Sequence, residues 1–147
     1  GLGRIGWGFI ADRIGWRRSM MIMAVTQSIL MIAFYYLGGS LVALYVFLAL
    51  TGFNFGGNFA LFPLATANWF GVKNLGINYG LMFSAYGIGG IAGPIMAGMF
   101  KDAGADQGIN VWLAPFLIAG ALCLVAGILV STAKEPTLEA IAEPVPA

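Results

Sequence analysis

Residues 19–72, SMMIMAVTQSILMIAFYYLGGSLVALYVFLALTGFNFGGNFALFPLATANWFGV, run for 54 positions without an Asp, Glu, Lys or Arg. A helix crossing a hydrocarbon core of about 30 Å needs roughly 20 apolar residues at about 1.5 Å each, so this stretch is about twice too long for one crossing. Gly38-Gly39-Ser40 near its middle supplies a turn, and the stretch reads as two membrane-spanning helices. Two further uncharged runs of 27 residues follow, Asn74–Phe100 and Gln107–Ala133, separated by Lys101, Asp102 and Asp106. Across all 147 residues 60% are hydrophobic and 9% charged, where a soluble domain carries about 25% charge. The chain is an all-α integral membrane protein.

The expected organisation is a partial helix over 1–11, complete helices near 19–38, 41–68, 76–100 and 111–131, and a C-terminal tail over 132–147. The tail holds Glu135, Glu139, Glu143 and three prolines, a composition that buries little apolar surface and predicts a mobile extramembrane segment. The first residues are too short to span and lack an initiator methionine, so the chain is expected to be a truncated piece. Arg13, Arg17, Arg18, Lys73 and Lys134 flank the spans on one side and Lys101 on the other, which places the Arg-rich turn and the C-terminus in the cytoplasm.

Composition also excludes functions. The sequence has no histidine and a single cysteine, Cys123, inside an apolar span, so it offers no histidine metal site, zinc site or disulfide. No metal or cofactor is called for. No Gly-Lys-Ser/Thr phosphate loop occurs, the seven basic residues form no run suited to nucleic acid, and no nucleophile–base pairing points to an enzyme. Ser19–Leu37 lacks glycine and is expected to face lipid as scaffold. The next two helices carry Asn54, Asn58, Asn68, Pro63, Pro94 and the pairs Gly52/Gly56, Gly76/Gly80 and Gly89/Gly93. Such residues are expected to pack these helices closely against each other and to line a watery cavity.

Gly8-Phe-Ile-Ala-Asp12-Arg13-Ile-Gly15-Trp-Arg17-Arg18 resembles the cytoplasmic-loop signature of the major facilitator superfamily. On physical grounds Gly8 admits another backbone, Gly15 permits a tight reversal, and Asp12 offers a carboxylate to a helix N-terminus or an arginine. The resemblance implies that Asp12 helps to hold the cytoplasmic side closed, and Gly8, Asp12, Arg13, Gly15, Arg17 and Arg18 are the expected conformational latch; the alternative for the basic residues, Arg17 and Arg18 above all, is an orientation signal.

Arg4 lies eight residues before Asp12, about 12 Å deeper on a continuous helix and near the bilayer midplane. An unpaired arginine there costs at least about 2.5 to 3.5 kcal/mol, and the spans hold no acid to neutralise it. Its partner is a carboxylate outside the chain, an anionic substrate, or water reached by snorkelling. Phe55 and Phe59 are i, i+4 on one helix, and Phe83 and Tyr86 are i, i+3 on the next, so each pair shares a face near Asn54, Asn58 and Ser84. An apolar box with a few polar groups suits a small organic anion.

The stretches Gly3-Arg4-Ile-Gly-Trp-Gly-Phe, Phe55-Gly-Gly-Asn-Phe-Ala-Leu-Phe-Pro63 and Asn78-Tyr79-Gly80 to Gly93-Pro94 resemble helices 8, 10 and 11 of the oxalate/formate antiporter family, which is monocarboxylate transporter-like. The resemblance implies the C-terminal six-helix half of a major facilitator fold, covering the end of helix 8 and helices 9 to 12. It implies that Arg4 meets a substrate carboxylate and that Phe55, Phe59 and Phe83 line the cavity. The expected partners are a small carboxylate anion, the lipid bilayer and a missing N-terminal six-helix half, without which the chain is not expected to transport. Tyr86 departs from the family, since an oxalate-exchanging member has lysine there. Arg4 with the Tyr86 hydroxyl therefore favours a monocarboxylate over a dicarboxylate. A dicarboxylate exchanger, a nitrate/nitrite porter and a non-transporting helical membrane subunit remain alternatives.

Overall fold

The computed structural model describes residues 1–133, with the side chains of residues 105–107 excepted; Lys134 and most of the expected tail lie outside the described residues. The chain forms α1 (Leu2–Ile14), α2 (Trp16–Leu37), α3 (Leu41–Phe70), α4 (Leu75–Ala103), a 3-10 segment (Ala105–Trp112) and α5 (Leu113–Thr132). Among the described residues, four segments are long and apolar enough to cross a membrane: Trp16–Leu37, Leu41–Phe70, Leu75–Ala103 and Gly108–Thr132.

The Arg-rich turn is shorter than the expected break between residues 11 and 19. Gly15 alone separates α1 from α2, at φ 87° and ψ 151°, a backbone conformation that side-chain-bearing residues rarely adopt. Its N–H donates to the Ala11 carbonyl at 2.9 Å, and its own carbonyl accepts from the Ser19 hydroxyl at 2.8 Å. Arg17 and Arg18 consequently sit in the first turn of α2. The opposite reversal is capped by Ser40, whose hydroxyl oxygen accepts from the Ala43 N–H at 3.2 Å and starts α3.

Packing within the chain centres on α2, which corrects the lipid-facing scaffold expected of it. Ile22, Val25 and Ile29 are exposed along one side, but Trp16, Ser19, Met20, Met23 and Ser28 are buried against α1, α3 and α5. The α5 side of this contact is built from small residues. A Cβ on Gly120 would stand 3.2 Å from Ile32, and one on Gly127 would stand 3.4 Å from Ala24, so the two helices approach at near-backbone distance. Where α5 ends, Arg17 Nε donates to the Val130 carbonyl at 3.2 Å and Nη2 donates to the Ser131 carbonyl, satisfying carbonyls that the helix leaves without donors. Trp16 stands edge-on to Trp69 at 5.3 Å, bringing the C-terminal end of α3 to the same end of the bundle. At the other end Phe34 contacts Phe47 and Phe116.

The expected close packing of α3 and α4 through paired glycines is also corrected. No residue of α4 is buried, and Gly76, Gly80, Gly89 and Gly93 face nothing within 4 Å, as does Gly52 on α3. The close approach instead joins α1 to α3. A Cβ on Gly3 would overlap the Phe53 carbonyl, and one on Gly56 would stand 3.2 Å from the Gly3 Cα and 3.4 Å from the Arg4 N. Two helices brought together by opposed glycines can meet backbone to backbone, which a side chain on either would prevent.

Candidate functional site

The Gly3/Gly56 crossing fixes where Arg4 goes. With its backbone against α3, the side chain reaches one turn along that helix and places Cζ over the Phe59 ring, 4.7 Å from the centroid. This is inside the distance at which a guanidinium is attracted by a ring quadrupole. Phe59 is itself held by a cluster of rings. Phe55 meets it edge-on at 5.3 Å, Phe83 lies 6.0 Å away and Tyr86 6.2 Å, while Phe83 and Tyr86 stack at 5.0 Å. Arg4, Phe55, Phe59, Phe83 and Tyr86 thus come together from α1, α3 and α4.

A cavity of about 310 Å³ lies between α3 and α4 at this cluster, lined by Asn58, Phe59, Phe62, Tyr79, Met82, Phe83, Ala85 and Tyr86. Tyr79, whose ring is 5.5 Å from Phe83, belongs to the wall and was not among the expected site residues. Its i, i+4 spacing to Phe83 is the signal that would have found it. Pro63 lies one turn past Phe59 and has no N–H to give the Phe59 carbonyl, so that carbonyl lacks its helical donor beside the cavity. Below the cavity, Thr66 donates its hydroxyl to the Phe62 carbonyl at 2.8 Å and lies 3.5 Å from the Met82 sulfur, one of the ties between α3 and α4.

The two asparagines, one turn apart on α3, separate. Asn58 borders the aromatic cavity. Asn54 is 4% exposed and fully engaged: its Oδ1 accepts from Trp7 Nε1 at 3.2 Å and its Nδ2 donates to Gln27 Oε1 at 3.2 Å. It joins α1, α2 and α3 rather than facing the rings around Arg4. Asn54 and Asn58 also border a larger cavity, about 470 Å³, between α2, α3 and α5. Among the described residues, that cavity has no arginine or lysine in its wall, and the buried Thr51 hydroxyl beside it has no hydrogen-bond partner. A carboxylate would find neutral amides and a hydroxyl there, whereas the aromatic cluster has a cation beside it.

Among the described residues, those expected to form a latch make separate contacts. Asp12 is exposed, Arg13 lies over the Phe9 ring at 4.2 Å, and Arg18 is exposed at the start of α2. Arg17 is occupied by the α5 carbonyls, so it ties two helices of the same bundle. Gly8 has open space where its Cβ would be, so the close approach expected there is not made by the described residues.

The Major Facilitator Superfamily model matches residues 1–146. Over 89 residues the chain is 34% identical to the uncharacterized MFS-type transporter YhjX of Escherichia coli (strain K12), covering 60% of this chain and 22% of that protein. It is 39% identical over 84 residues to apicoplast pyruvate carrier 2 of Toxoplasma gondii, covering 56% of this chain and 13% of the carrier. It is 31% identical over 88 residues to the oxalate:formate antiporter of Oxalobacter formigenes, covering 59% of this chain and 21% of the antiporter. The matched stretch is thus under a quarter of each of these three relatives. No solved structure matches the chain.

Proposed function

The chain belongs to the Major Facilitator Superfamily, and from that premise we propose that it is part of a secondary carrier moving a small organic anion, a monocarboxylate, across the inner (plasma) membrane by alternating access. The observation that carries this reading is Arg4 poised over Phe59 beside an aromatic cavity. An arginine at membrane depth is costly unless something compensates it, and Asp12, eight residues away on the same helix, is about 12 Å distant. A carboxylate entering between the two halves of the carrier would accept paired N–H bonds from the guanidinium while the rings enclose its apolar body.

Among the described residues α4 carries one cation, Lys101, fifteen residues beyond Tyr86 and about 22 Å along the helix. One nearby positive charge with a phenol hydroxyl suits a single carboxylate, of the lactate, formate or pyruvate kind. The relatives named as pyruvate carrier and oxalate:formate antiporter support a carboxylate. The latter also favours a second reading, a dicarboxylate exchanger, which requires a further cation from the rest of the protein.

The remaining helices would come from an N-terminal half, with the Arg-rich end and the C-terminus in the cytoplasm. Gly8, Asp12, Arg13, Gly15 and Arg18 would form the latch to that half, since Asp12 and the Cβ direction of Gly8 are left open. The test is counterflow in liposomes containing the full-length carrier, comparing lactate, formate, pyruvate, oxalate and nitrate. A monocarboxylate is expected to be exchanged fastest, and Arg4→Lys is expected to raise its KM, because lysine keeps the charge and loses the fork. Unchanged kinetics in Arg4→Lys would remove the basis of the proposal.

A further inference from the structure

Resting on the carrier reading, we propose that Phe59 is a positioning residue for the substrate arginine: it takes the orienting place that a fixed carboxylate would otherwise hold, and keeps Arg4 aimed with its N–H donors free for an anion. Arg4 is exposed among the described residues, and at membrane depth an arginine is usually fixed by an acid, which would also consume its N–H fork and offset its charge. A ring does neither. The guanidinium has five N–H donors in its plane, and the Phe59 ring, 4.7 Å from Cζ, brings no oxygen acceptor to occupy them.

Both members of the pair are held from behind. The Arg4 backbone is pinned by the Gly3/Gly56 crossing, where a Cβ on Gly56 would stand 3.4 Å from the Arg4 N. The Phe59 ring is wedged by Phe55, Phe83 and Tyr86 at 5.3, 6.0 and 6.2 Å. With both partners restrained, the side-chain freedom that a flexible arginine would lose on binding is already reduced before the anion arrives, which raises affinity without any added contact to it. Phe59 therefore acts on substrate affinity through Arg4.

The test is a cycle of Phe59→Leu, Arg4→Gln and the double variant in the full-length carrier, with Phe59→Trp as the conservative replacement. Counterflow of pyruvate in liposomes and melting temperature in detergent are both measured. Phe59→Leu is expected to raise KM roughly twofold to thirtyfold, the range spanned by cation–π contacts, with Vmax within twofold. Phe59→Trp is expected to restore the KM, and Phe59→Leu is expected to add nothing in the Arg4→Gln background. Equal KM increases in the presence and absence of Arg4 would overturn the proposal, since Phe59 would then act on its own. A wild-type carrier that moves no carboxylate would sink the functional reading instead. The melting-temperature cycle then still decides the pairing: non-additive losses support it, and strictly additive losses overturn it.

Discussion

Replacing Asn54 with leucine separates architecture from substrate contact. Leucine has the same branched four-atom side-chain skeleton and no polar atom, so the substitution deletes two hydrogen bonds, each 3.2 Å long, and strands the Trp7 Nε1–H and the Gln27 Oε1. In a membrane protein each such bond contributes about 0.6 kcal/mol on average and at most about 1.7, so the pair contributes about 1 to 3 kcal/mol. The Trp7 end sits at the upper part of that range, because the indole is 4% exposed and has no water to turn to. The expected result is a clear drop in melting temperature in detergent for the full-length protein, with KM for a monocarboxylate within twofold of wild type. A tenfold rise in KM at unchanged melting temperature would refute the reasoning and return Asn54 to the anion site.

Gly3→Leu is expected to destabilise the protein by more than about 3 kcal/mol and abolish uptake, because the side chain meets the Phe53 backbone rather than a movable group; well-folded, active Gly3→Leu in size-exclusion and uptake assays would contradict the α1–α3 crossing. Gly52→Leu, which faces nothing within 4 Å, is the matched control and is expected to disturb the helix crossing far less. Arg17→Ala removes the donors to the Val130 and Ser131 carbonyls and is expected to cost about 0.3 to 2 kcal/mol, seen as faster hydrogen exchange in the last turn of α5; unchanged exchange there would show that the helix end does not depend on it.

The spans were legible in the sequence because hydrocarbon tolerates so little. A 54-residue stretch without charge has few ways to be arranged, and Gly38-Gly39-Ser40 marks its reversal. The aromatic face was legible for a similar reason, since i, i+3 and i, i+4 spacing fixes which rings share a side of one helix. Tyr79 was missed although it has the same relation to Phe83. The glycines were harder to read. Gly52/Gly56, Gly76/Gly80 and Gly89/Gly93 look alike in sequence, yet only Gly56 meets a backbone within the described residues, because close approach needs a facing partner and Gly3 provides it. Asn54 and Asn58 share a face by periodicity and still part company, since Trp7 and Gln27 reach only the first.

The amino-acid sequence thus determined that this chain lives in a bilayer, where its reversals fall, and that Arg4 has no acid closer in the chain than Asp12, all consequences of solvent and local geometry. The tertiary structure alone decided that α2 is buried on one side, that Arg17 caps α5, and that Arg4 rests on Phe59. Those outcomes depend on which helix faces meet, and helix pairing is a property of two surfaces that neither segment encodes singly.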